Sequence, residues 1–312
     1  MKVFIAGHKG LVGSAVSRRI AQSSKQLDIV TKDRSELELT NFSQVDGFFQ
    51  TEKPDWVFLA AAKVGGIFAN NAHPVEYLLD NLKIQNNVIE AAFNHGSAKL
   101  MFFGSSCIYP RLCPQPIKEE YLLSSALEPT NDAYAIAKIA GVKLCNAYNR
   151  EYGTDFICIM PTNLYGMNDN YHLQNAHVIP MLLRRFHDAK VSNSSEVVVW
   201  GTGQPLREFL YADDLAEACV FLMENYSAGD IGELVNIGTG EDLTILALAE
   251  LIKEIVGYQG KIVLDKTKPD GTPRKLLDVT KINALGWKAT TPLKDGLAAT
   301  YRDFLANPSL RR

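Results

Sequence analysis

The chain has 312 residues and carries 32 Lys and Arg against 35 Asp and Glu, a formal net charge of −3. Hydrophobic residues make up 46% of it and charged residues 21%, which is typical of a globular protein rather than a disordered one. The near-neutral charge argues against a general nucleic-acid binder, which would need an excess of basic residues. At roughly 150 residues per domain, the length predicts one large domain or two modest ones.

The five cysteines indicate a reducing compartment. They are scattered, odd in number and never in a CxxC pair, so they predict neither a disulfide framework nor a zinc site, and we expect no bound metal. The apolar stretch 3–6 is too short for a secretory signal, and no apolar run approaches the ~20 residues that cross a bilayer. We therefore expect a cytoplasmic protein with neither a membrane nor a nucleic acid as partner.

The first half of the chain alternates short apolar runs with helical patterns, which is typical of a parallel sheet built from βαβ units. Helices are predicted near 11–22, 41–51, 75–95 and 132–152, between predicted strands at 3–6, 27–31, 56–60, 100–104 and 156–160. Because connections between parallel strands are right-handed, this pattern predicts an α/β fold with a doubly wound, Rossmann-type parallel sheet.

Beyond residue 161 the regular alternation is lost and Gly and Pro punctuate the chain, which predicts a smaller α/β C-terminal domain. We place a Rossmann domain at 1–165 and the smaller second domain at 166–312. The segment 205–238 is expected to return to the Rossmann domain, because 197–200 and 234–237 look like further strands.

The turn after the first predicted strand has the glycine pattern of a dinucleotide site. Such glycines allow a tight turn, close approach of a pyrophosphate and close packing of helix on strand. The N-terminus of the following helix offers N–H groups and a partial positive charge to the phosphates. The residues predicted to bind the cofactor here are Gly7, His8, Lys9, Gly10, Leu11, Val12 and Gly13.

Two neighbouring residues bear on which dinucleotide binds. Asp33 lies 20 residues after Gly13, where a carboxylate can accept hydrogen bonds from the ribose of NAD. Arg34 and Lys9 suit a 2′-phosphate instead, which a carboxylate at the strand end would repel. The choice depends on where Asp33 points; we predict NADP(H), with Arg34 as a phosphate ligand.

Tyr134 and Lys138 are four residues apart in a helical pattern, so both project from one helix face. A phenol ordinarily titrates at about pH 10, and a nearby ammonium is expected to lower that pKa, which would ease proton transfer by Tyr134. Ser105 follows the predicted strand 100–104 at its carboxyl end, where ligands of open α/β sheets bind. Its hydroxyl is expected to hold a substrate carbonyl beside Tyr134.

Together these features resemble the extended short-chain dehydrogenase/reductase family, which acts mostly on nucleotide sugars with hydride chemistry at C4. The resemblance runs from end to end of the chain. It covers the three glycines, Ser105, the Tyr134–Lys138 pair, and the strings PTNLYG at 161–166, REFLYADD at 207–214, NIGTG at 236–240 and LGW at 285–287.

Longer strings resemble one branch of the family, which epimerises C3 and C5 of GDP-4-keto-6-deoxy-D-mannose and reduces its C4. They are AAAKVGGI at 60–67, SSCIYP at 105–110, HVIP at 177–180 and KPDGTPRKLLD at 268–278. This resemblance implies NADPH as the reductant, a GDP-sugar as the substrate and a homodimer. The dimer surface is expected on the helices at 75–95 and 132–152.

The resemblance also implies roles for single residues. Cys107 and His177 would be the acid–base pair of epimerisation, beside Ser105, Tyr134 and Lys138. Cofactor contacts beyond the glycine turn would be Arg34, Ser105, Ser106, Lys138, Pro161, Asn163, Leu164 and His177. Contacts to the GDP-sugar would be Arg185, Trp200, Arg207, Asp270 and Lys275. Arg184 and Arg274 add to these cations and complete a cluster that suits a diphosphate.

Three other functions remain open: another nucleotide-sugar 4-epimerase, a 4,6-dehydratase, and a regulator that binds NADP without turnover. Dehydratases of the family carry an Asp-Glu pair where this chain has Ser106-Cys107, so β-elimination would lack its acid. A simple 4-epimerase needs no pairing of Cys107 with His177. Regulators commonly lose the tyrosine or the lysine of the YxxxK motif, whereas this chain keeps both.

Overall fold

A computed structural model describes residues 1–23, 27–172, 176–268 and 270–311. Within these ranges the strands are β1 Lys2–Ala6, β2 Asp28–Val30, β3 Trp56–Leu59, β4 Lys99–Phe103, β5 Phe156–Pro161, β6 Asn163–Tyr165, β7 Glu196–Trp200, β8 Leu206–Tyr211, β9 Val235–Ile237, β10 Asp242–Thr244, β11 Lys261–Asp265 and β12 Arg274–Lys275. The α-helices are α1 Leu11–Ala21, α2 Phe42–Glu52, α3 Ile67–Ala72, α4 Pro74–Asn94, α5 Asp132–Tyr152, α6 Val178–Val191, α7 Ala212–Asn225, α8 Ala228–Ile231, α9 Ile245–Val256, α10 Thr280–Ala284 and α11 Leu293–Ala306. Short 3-10 helices lie at Ser106–Ile108, Glu119–Tyr121 and Pro308–Arg311.

The main sheet has six strands in the order β2-β1-β3-β4-β5-β9, and every neighbouring pair is parallel. Successive side chains of β1 enter opposite cores: Val3 and Ile5 pack with α1 and α7, whereas Phe4 and Ala6 pack with α2, α4 and α5. Helices therefore cover both faces, which explains the continuous apolar runs of the strands. The predicted α/β class with a doubly wound, Rossmann-type sheet is confirmed.

A smaller α/β unit is built around β8. This strand pairs antiparallel with β10 on one edge and parallel with β12 and β6 on the other. A separate parallel pair joins β7 to β11. The core beneath these strands comes from α6, α9 and α11, and includes Phe186, Leu248 and Phe304, all fully buried. This unit is the smaller C-terminal α/β part that the sequence predicted.

The segment after β6 divides between the two units. Residues 197–200 form a strand as expected, but β7 pairs with β11 instead of joining the main sheet. Its burial alternates along the strand, so only one of its faces is covered, unlike the strands of the main sheet. By contrast, α7 packs against the main sheet beside α1, and β9 extends that sheet next to β5. Within the segment 205–238, β8 thus belongs to the second sheet, whereas β9 belongs to the main sheet and α7 packs against it.

None of the helices in the described part of the chain combines the length and the apolar character that spanning a bilayer requires.

Candidate active site

The glycine turn has the backbone shape that a bound pyrophosphate needs. Gly7 has a φ of +86°, a conformation that favours glycine, and a Cβ there would lie 2.8 Å from the Ala61 nitrogen. A Cβ on Gly13 would lie 2.2 Å from the Gly7 carbonyl oxygen. Gly10 is the N-cap of α1 and offers no side-chain acceptor to the first N–H groups of that helix. Gly7 and Gly13 therefore allow the tight turn and the close packing of α1 on it, and the N–H groups at the start of α1 fit the phosphates of a dinucleotide.

Asp33 points back toward the glycine turn. Lys9 Nζ donates a hydrogen bond to its Oδ2 at 2.6 Å, and His8 Nε2 lies 3.3 Å from its Oδ1. The hydrogen bond from Lys9 lowers the pKa of Asp33, which keeps the carboxylate ionised. The Arg34 side chain is 82% exposed and its Nε donates to Glu38 at 2.8 Å. That Arg34 binds a phosphate stays a prediction.

Ser105 occupies the position after β4 that the sequence predicted. It is the N-cap of the 3-10 helix Ser106–Ile108, and its Oγ accepts a hydrogen bond from the Cys107 backbone N–H at 3.3 Å. Its own N–H donates to the Met160 sulfur at 3.1 Å, which ties it to the neighbouring strand β5. Ser105 and Cys107 are therefore held close together at the carboxyl end of the main sheet.

The start of α5 carries Tyr134 and Lys138 on one face. A hydrogen bond joins Tyr134 to Ser105, but burial dominates and raises the pKa of Tyr134. This is opposite to the predicted direction: the Lys138 ammonium donates to the Phe103 carbonyl at 2.8 Å instead of acting on the phenol. Burial also lowers the pKa of Lys138 to about 8. Tyr134 is thus a neutral phenol at physiological pH, able to donate a proton.

Close packing fixes the position of α5 against the sheet. Gly141 faces Phe102 on β4, and a Cβ at this glycine would lie 2.3 Å from the Phe102 ring. Gln85 of α4 is buried, and its Nε2 donates to the Ala137 carbonyl at 2.6 Å. Gln85 was not predicted from the sequence; a polar residue on the apolar side of a predicted helix is the signal that was available.

Cys107 lies where the two units of the fold meet. Lys275 on β12 points its Nζ at the Cys107 sulfur at 3.7 Å. Arg207 on β8 and Tyr134 on α5 also interact electrostatically with Cys107. The structure thus brings three predicted site residues, from three separate elements, around the Cys107 thiol.

His177 lies at the N-cap of α6, with no side-chain hydrogen bond to that helix. The residue is solvent-accessible, yet protein around the imidazole lowers its pKa, so it is neutral at pH 7. Within the described residues, no hydrogen bond joins His177 to Cys107. Their pairing in epimerisation stays a prediction.

Three further predicted cofactor contacts lie near the carboxyl ends of β5 and β6. Pro161 ends β5, while Asn163 and Leu164 belong to β6. The Asn163 amide donates to the Glu208 carbonyl at 2.8 Å, which links β6 to β8. Ser106 is 2% exposed inside the turn after β4.

Arg185 and Trp200 form a stacked pair on the second unit. The Arg185 guanidinium lies 4.9 Å from the Trp200 ring centre and donates to the Val198 carbonyl at 3.2 Å. Lys268 lies 5.7 Å from the same ring, and sequence reasoning missed it although it opens the KPDG string. Trp200 is 51% exposed, so its ring is available to a planar ligand. Pro269, the next residue of that string, lies outside the described residues.

Asp270 is held by a partner that the sequence analysis also missed. Its two carboxylate oxygens accept hydrogen bonds from the Thr202 backbone N–H at 2.6 Å and from the Thr202 hydroxyl at 2.8 Å. The loop at 270 is thereby fixed beside the end of β7. Direct contact of Asp270 with a GDP-sugar stays a prediction.

The predicted cationic cluster separates into two groups. Arg184 pairs with Asp188 at 2.7 Å, and Arg274 pairs with Asp242 at 2.6 Å. These two arginines therefore have carboxylate partners within their own unit. Arg185 instead lies at the Trp200 ring, and Arg207 and Lys275 lie at Cys107.

The buried carboxylate of Glu208 holds the backbone of two loops next to the site. Glu208 is fully buried and accepts backbone hydrogen bonds from Thr239 at 2.7 Å, Gly240 at 2.8 Å and Leu277 at 3.0 Å. Burial raises its pKa, and the three N–H donors act the other way. No role was predicted for Glu208 from the sequence; an ionisable residue directly before the apolar run 209–211 of this strand is the signal for it.

A family model described as the NAD dependent epimerase/dehydratase family matches residues 3–238 of the chain. The chain belongs to this family. The resemblance stated from the sequence is thereby confirmed. Within this NAD dependent epimerase/dehydratase family, the putative GDP-L-fucose synthase 2 of Arabidopsis thaliana is 58% identical over 306 residues, covering 98% of this chain and 92% of that protein.

A bacterial relative and a solved structure agree with this assignment. The GDP-L-fucose synthase of Escherichia coli K12 is 52% identical over 312 residues, covering 98% of this chain and 97% of that protein. The crystal structure of a GDP-L-fucose synthetase from Naegleria fowleri bound to NADP has a TM-score of 0.93 at 29% identity, covering 100% of this chain and 95% of that one. The whole fold of this family member, not only its Rossmann half, is therefore shared with enzymes of these names.

Proposed function

We propose that the chain catalyses the GDP-L-fucose synthase reaction: it epimerises C3 and C5 of GDP-4-keto-6-deoxy-D-mannose and reduces C4 with NADPH. The observation that carries this proposal is the position of Cys107. A thiol sits beside the phenol of Tyr134 and within reach of two cations of the second unit, Lys275 and Arg207. The full-length identity to proteins named as this synthase supports the same activity.

The ketone at C4 makes epimerisation possible, because loss of a proton from C3 or C5 gives an enolate. Inversion requires removal of the proton from one face and its return to the other. A thiol and an imidazole, Cys107 and His177, have the chemistry for these two transfers. The enolate oxygen needs hydrogen-bond donors, and the hydroxyls of Ser105 and Tyr134 lie together at the strand end to supply them.

Reduction uses the same carbonyl after the two inversions. A nicotinamide bound at the end of the glycine turn's dinucleotide would supply the hydride that converts C4 from a ketone to an alcohol. Tyr134 gives a proton to the C4 oxygen, and its raised pKa means that the phenol holds this proton at neutral pH. Lys138 is buried, and its ammonium donates a hydrogen bond to the Phe103 carbonyl, which fixes the end of β4. One pocket therefore serves both stages, and the intermediate need not leave.

The substrate's nucleotide is expected to extend from Cys107 toward Trp200. Arg207 and Arg185 neutralise the diphosphate, whereas Lys275 stays at the reacting end beside the thiol. The ring offers a stacking surface for guanine. A shallow cavity of about 550 Å³ adjoins Arg185 and Trp200 and leaves room for a nucleoside.

The three alternative functions fit the site less well. Ser106 and Cys107 follow Ser105, so the acid pair of a 4,6-dehydratase is absent from this turn of the described structure. A 4-epimerase does not require a thiol flanked by cations. The YxxxK pair is complete, with Tyr134 hydrogen-bonded to Ser105, which argues against a regulator without turnover.

The test combines the two half-reactions. The pure protein is mixed with NADPH and GDP-4-keto-6-deoxy-D-mannose in D₂O, NADPH absorbance is followed, and the product is examined by NMR. We expect one NADPH consumed per GDP-L-fucose formed, with deuterium at both C3 and C5. Oxidation without deuterium would identify a C4 reductase instead, and deuterium without oxidation would identify an epimerase. Neither signal, with activity on another nucleotide sugar, would refute the proposal.

We also propose that two copies associate through α4 and α5. These helices pack on each other, and several of their apolar side chains are exposed: Val75 by 71%, Leu79 by 45% and Ile136 by 47%. A second copy laid against the same helices would bury them, as a two-fold interface does. We further propose a cytoplasmic location, from the scattered cysteines, and neither a membrane nor a nucleic acid as partner, from the near-neutral charge.

A further inference from the structure

The end of β2 places Asp33 against the glycine turn, although 24 residues separate it from Lys9. Strand β2 is the neighbour of β1, whose end begins that turn. The Asp33 carbonyl accepts hydrogen bonds from the N–H groups of Glu36 and Leu37, both at 2.9 Å, so the backbone here is fixed. The carboxylate therefore lies where the second strand of a Rossmann unit meets the adenosine ribose.

The charges at this point are already balanced. Lys9 pairs with Asp33 at 2.6 Å, Lys32 with Glu36 at 3.8 Å and Arg34 with Glu38 at 2.8 Å. Three cations therefore face three carboxylates within one short stretch and the glycine turn. A 2′-phosphate, with a charge of about −1.5 to −2, therefore meets cations that already have carboxylate partners, and at Lys9 it competes with Asp33.

We propose that Asp33 sets the balance between the two dinucleotides: it competes with the 2′-phosphate of NADPH for Lys9, and it accepts hydrogen bonds from the ribose hydroxyls of NADH. NADPH still binds, because Lys9 can exchange one anion for another. NADH also binds, because its ribose leaves the Lys9–Asp33 pair intact. This inference rests on the dinucleotide site of the proposed function and adds dual cofactor use to it.

The expected effect is moderate because the groups are accessible to water. The Lys9 and Asp33 side chains are 71% and 36% exposed, so solvent and salt screen their interaction. A single charge at hydrogen-bond distance from a phosphate then changes affinity by about tenfold. We therefore expect the wild-type dissociation constants for NADPH and NADH to lie within about tenfold of each other.

The test measures binding alone, by titrating NADPH and NADH into the full chain and following protein fluorescence or heat. Asp33→Asn keeps the shape and removes the charge. It should tighten NADPH about tenfold and weaken NADH by at least about threefold, so that the ratio of the constants shifts about thirtyfold. Asp28→Asn is the matched control. It changes the net charge equally, but Asp28 begins β2 and so lies at the amino ends of the strands, away from the glycine turn.

Each outcome decides the proposal. A gain in NADPH affinity that shrinks as KCl is raised supports electrostatic competition. A ratio that stays within about twofold of wild type in Asp33→Asn, or that shifts equally in Asp28→Asn, overturns it. The titration contains no GDP-sugar, so its result does not depend on turnover. A chain that binds the dinucleotides as expected but does not convert the GDP-sugar in the separate assay would contradict only the proposed function. A wild-type chain that binds neither dinucleotide would overturn both.

Discussion

The ammonium of Lys275 lies 3.7 Å from the thiol of Cys107, although 168 residues separate the two along the chain. Lys275 stands opposite Arg207 in the parallel pairing of β12 with β8. The two neighbouring strands therefore each contribute one cation at the same position along the sheet. Cys107 itself belongs to the turn after β4 in the main sheet. The reactive centre is therefore completed only when the second unit docks against the Rossmann unit.

Replacing Cys107 should separate epimerisation from cofactor binding. In Cys107→Ser, we expect entry of solvent deuterium at C3 and C5 to fall by about 100-fold or more, because a serine hydroxyl exchanges its proton with carbon far less readily than a thiol, which ionises much closer to neutral pH. The dissociation constant of NADPH should stay within about twofold of wild type. NMR of the product formed in D₂O gives the first value and titration the second.

Cys113→Ser is the matched control for that experiment. Cys113 is partly buried, and burial raises the pKa of its thiol, so it stays protonated and should tolerate the change. If Cys107→Ser still took up deuterium at the wild-type rate, or if Cys113→Ser lost uptake equally, the role given to Cys107 would be wrong.

Lys275 and Lys268 should give contrasting kinetic effects. Lys275 touches the thiol at the reacting end, so Lys275→Met should lower kcat by about 10-fold to 100-fold. Lys268 lies over the Trp200 ring at the nucleotide end, so Lys268→Met should raise KM for the GDP-sugar and leave kcat within about twofold. Steady-state kinetics on both variants tests the assigned direction of the substrate, and the reverse pattern would place it the other way round.

The Rossmann half could be predicted from the sequence because its signals are local. Strands buried on both faces appear as uninterrupted apolar runs, and the glycine turn directly follows the first of them. The second sheet lacks such signals. Its central strand β8 pairs with β6, β10 and a β12 of two residues, which come from distant parts of the chain. Periodicity does not encode that pairing, so the whole segment 205–238 was predicted to return to the Rossmann domain, although β8 lies in the second sheet.

In the candidate site, too, some features could be predicted from the sequence and others could not. The spacing of Tyr134 and Lys138 fixes their shared helix face, and that much follows from the sequence alone. The direction of the Tyr134 pKa does not, because it depends on the burial created by tertiary packing. Gln85 and Glu208 were missed for a related reason: each acts by holding a backbone that comes from another element.

Glu208 should prove more important for stability than its absence from the reaction suggests. Its carboxylate accepts three backbone N–H groups from two loops, and a glutamine would turn a donor toward at least one of them. We expect Glu208→Gln to lower the free energy of unfolding by about 2–4 kcal/mol. Urea unfolding measures this loss. Glu196→Gln, at the exposed start of β7, serves as the control and should change it by less than about 0.5 kcal/mol. Equal stability of the two variants would contradict the supporting role of Glu208.

The proposed dimer can be tested by placing charges on its surface. Leu79 on α4 and Ile136 on α5 are both about half exposed, and Leu79→Glu with Ile136→Glu would bring like charges together across a two-fold axis. We expect the wild-type chain to sediment as a dimer and the double variant as a monomer. Val191→Glu introduces a charge at a 69% exposed residue at the end of α6 and should leave the dimer intact. A double variant that still sediments as a dimer would rule out this surface.

Lys138 should make the stability of the protein depend on pH in the alkaline range. Burial lowers its pKa from 10.5 to about 8, so between these values the unfolded chain holds a proton that the folded chain has lost. Stability therefore rises with pH across this window, by about 3 kcal/mol in all. In a Tyr134→Phe background, which removes the adjacent phenol, the free energy of unfolding of the Lys138 protein relative to Lys138→Met should rise by that amount from pH 8 to 10.5. The other buried tyrosines are common to both proteins and cancel in the difference. A flat difference across this range would show that Lys138 keeps its ordinary pKa in the folded chain.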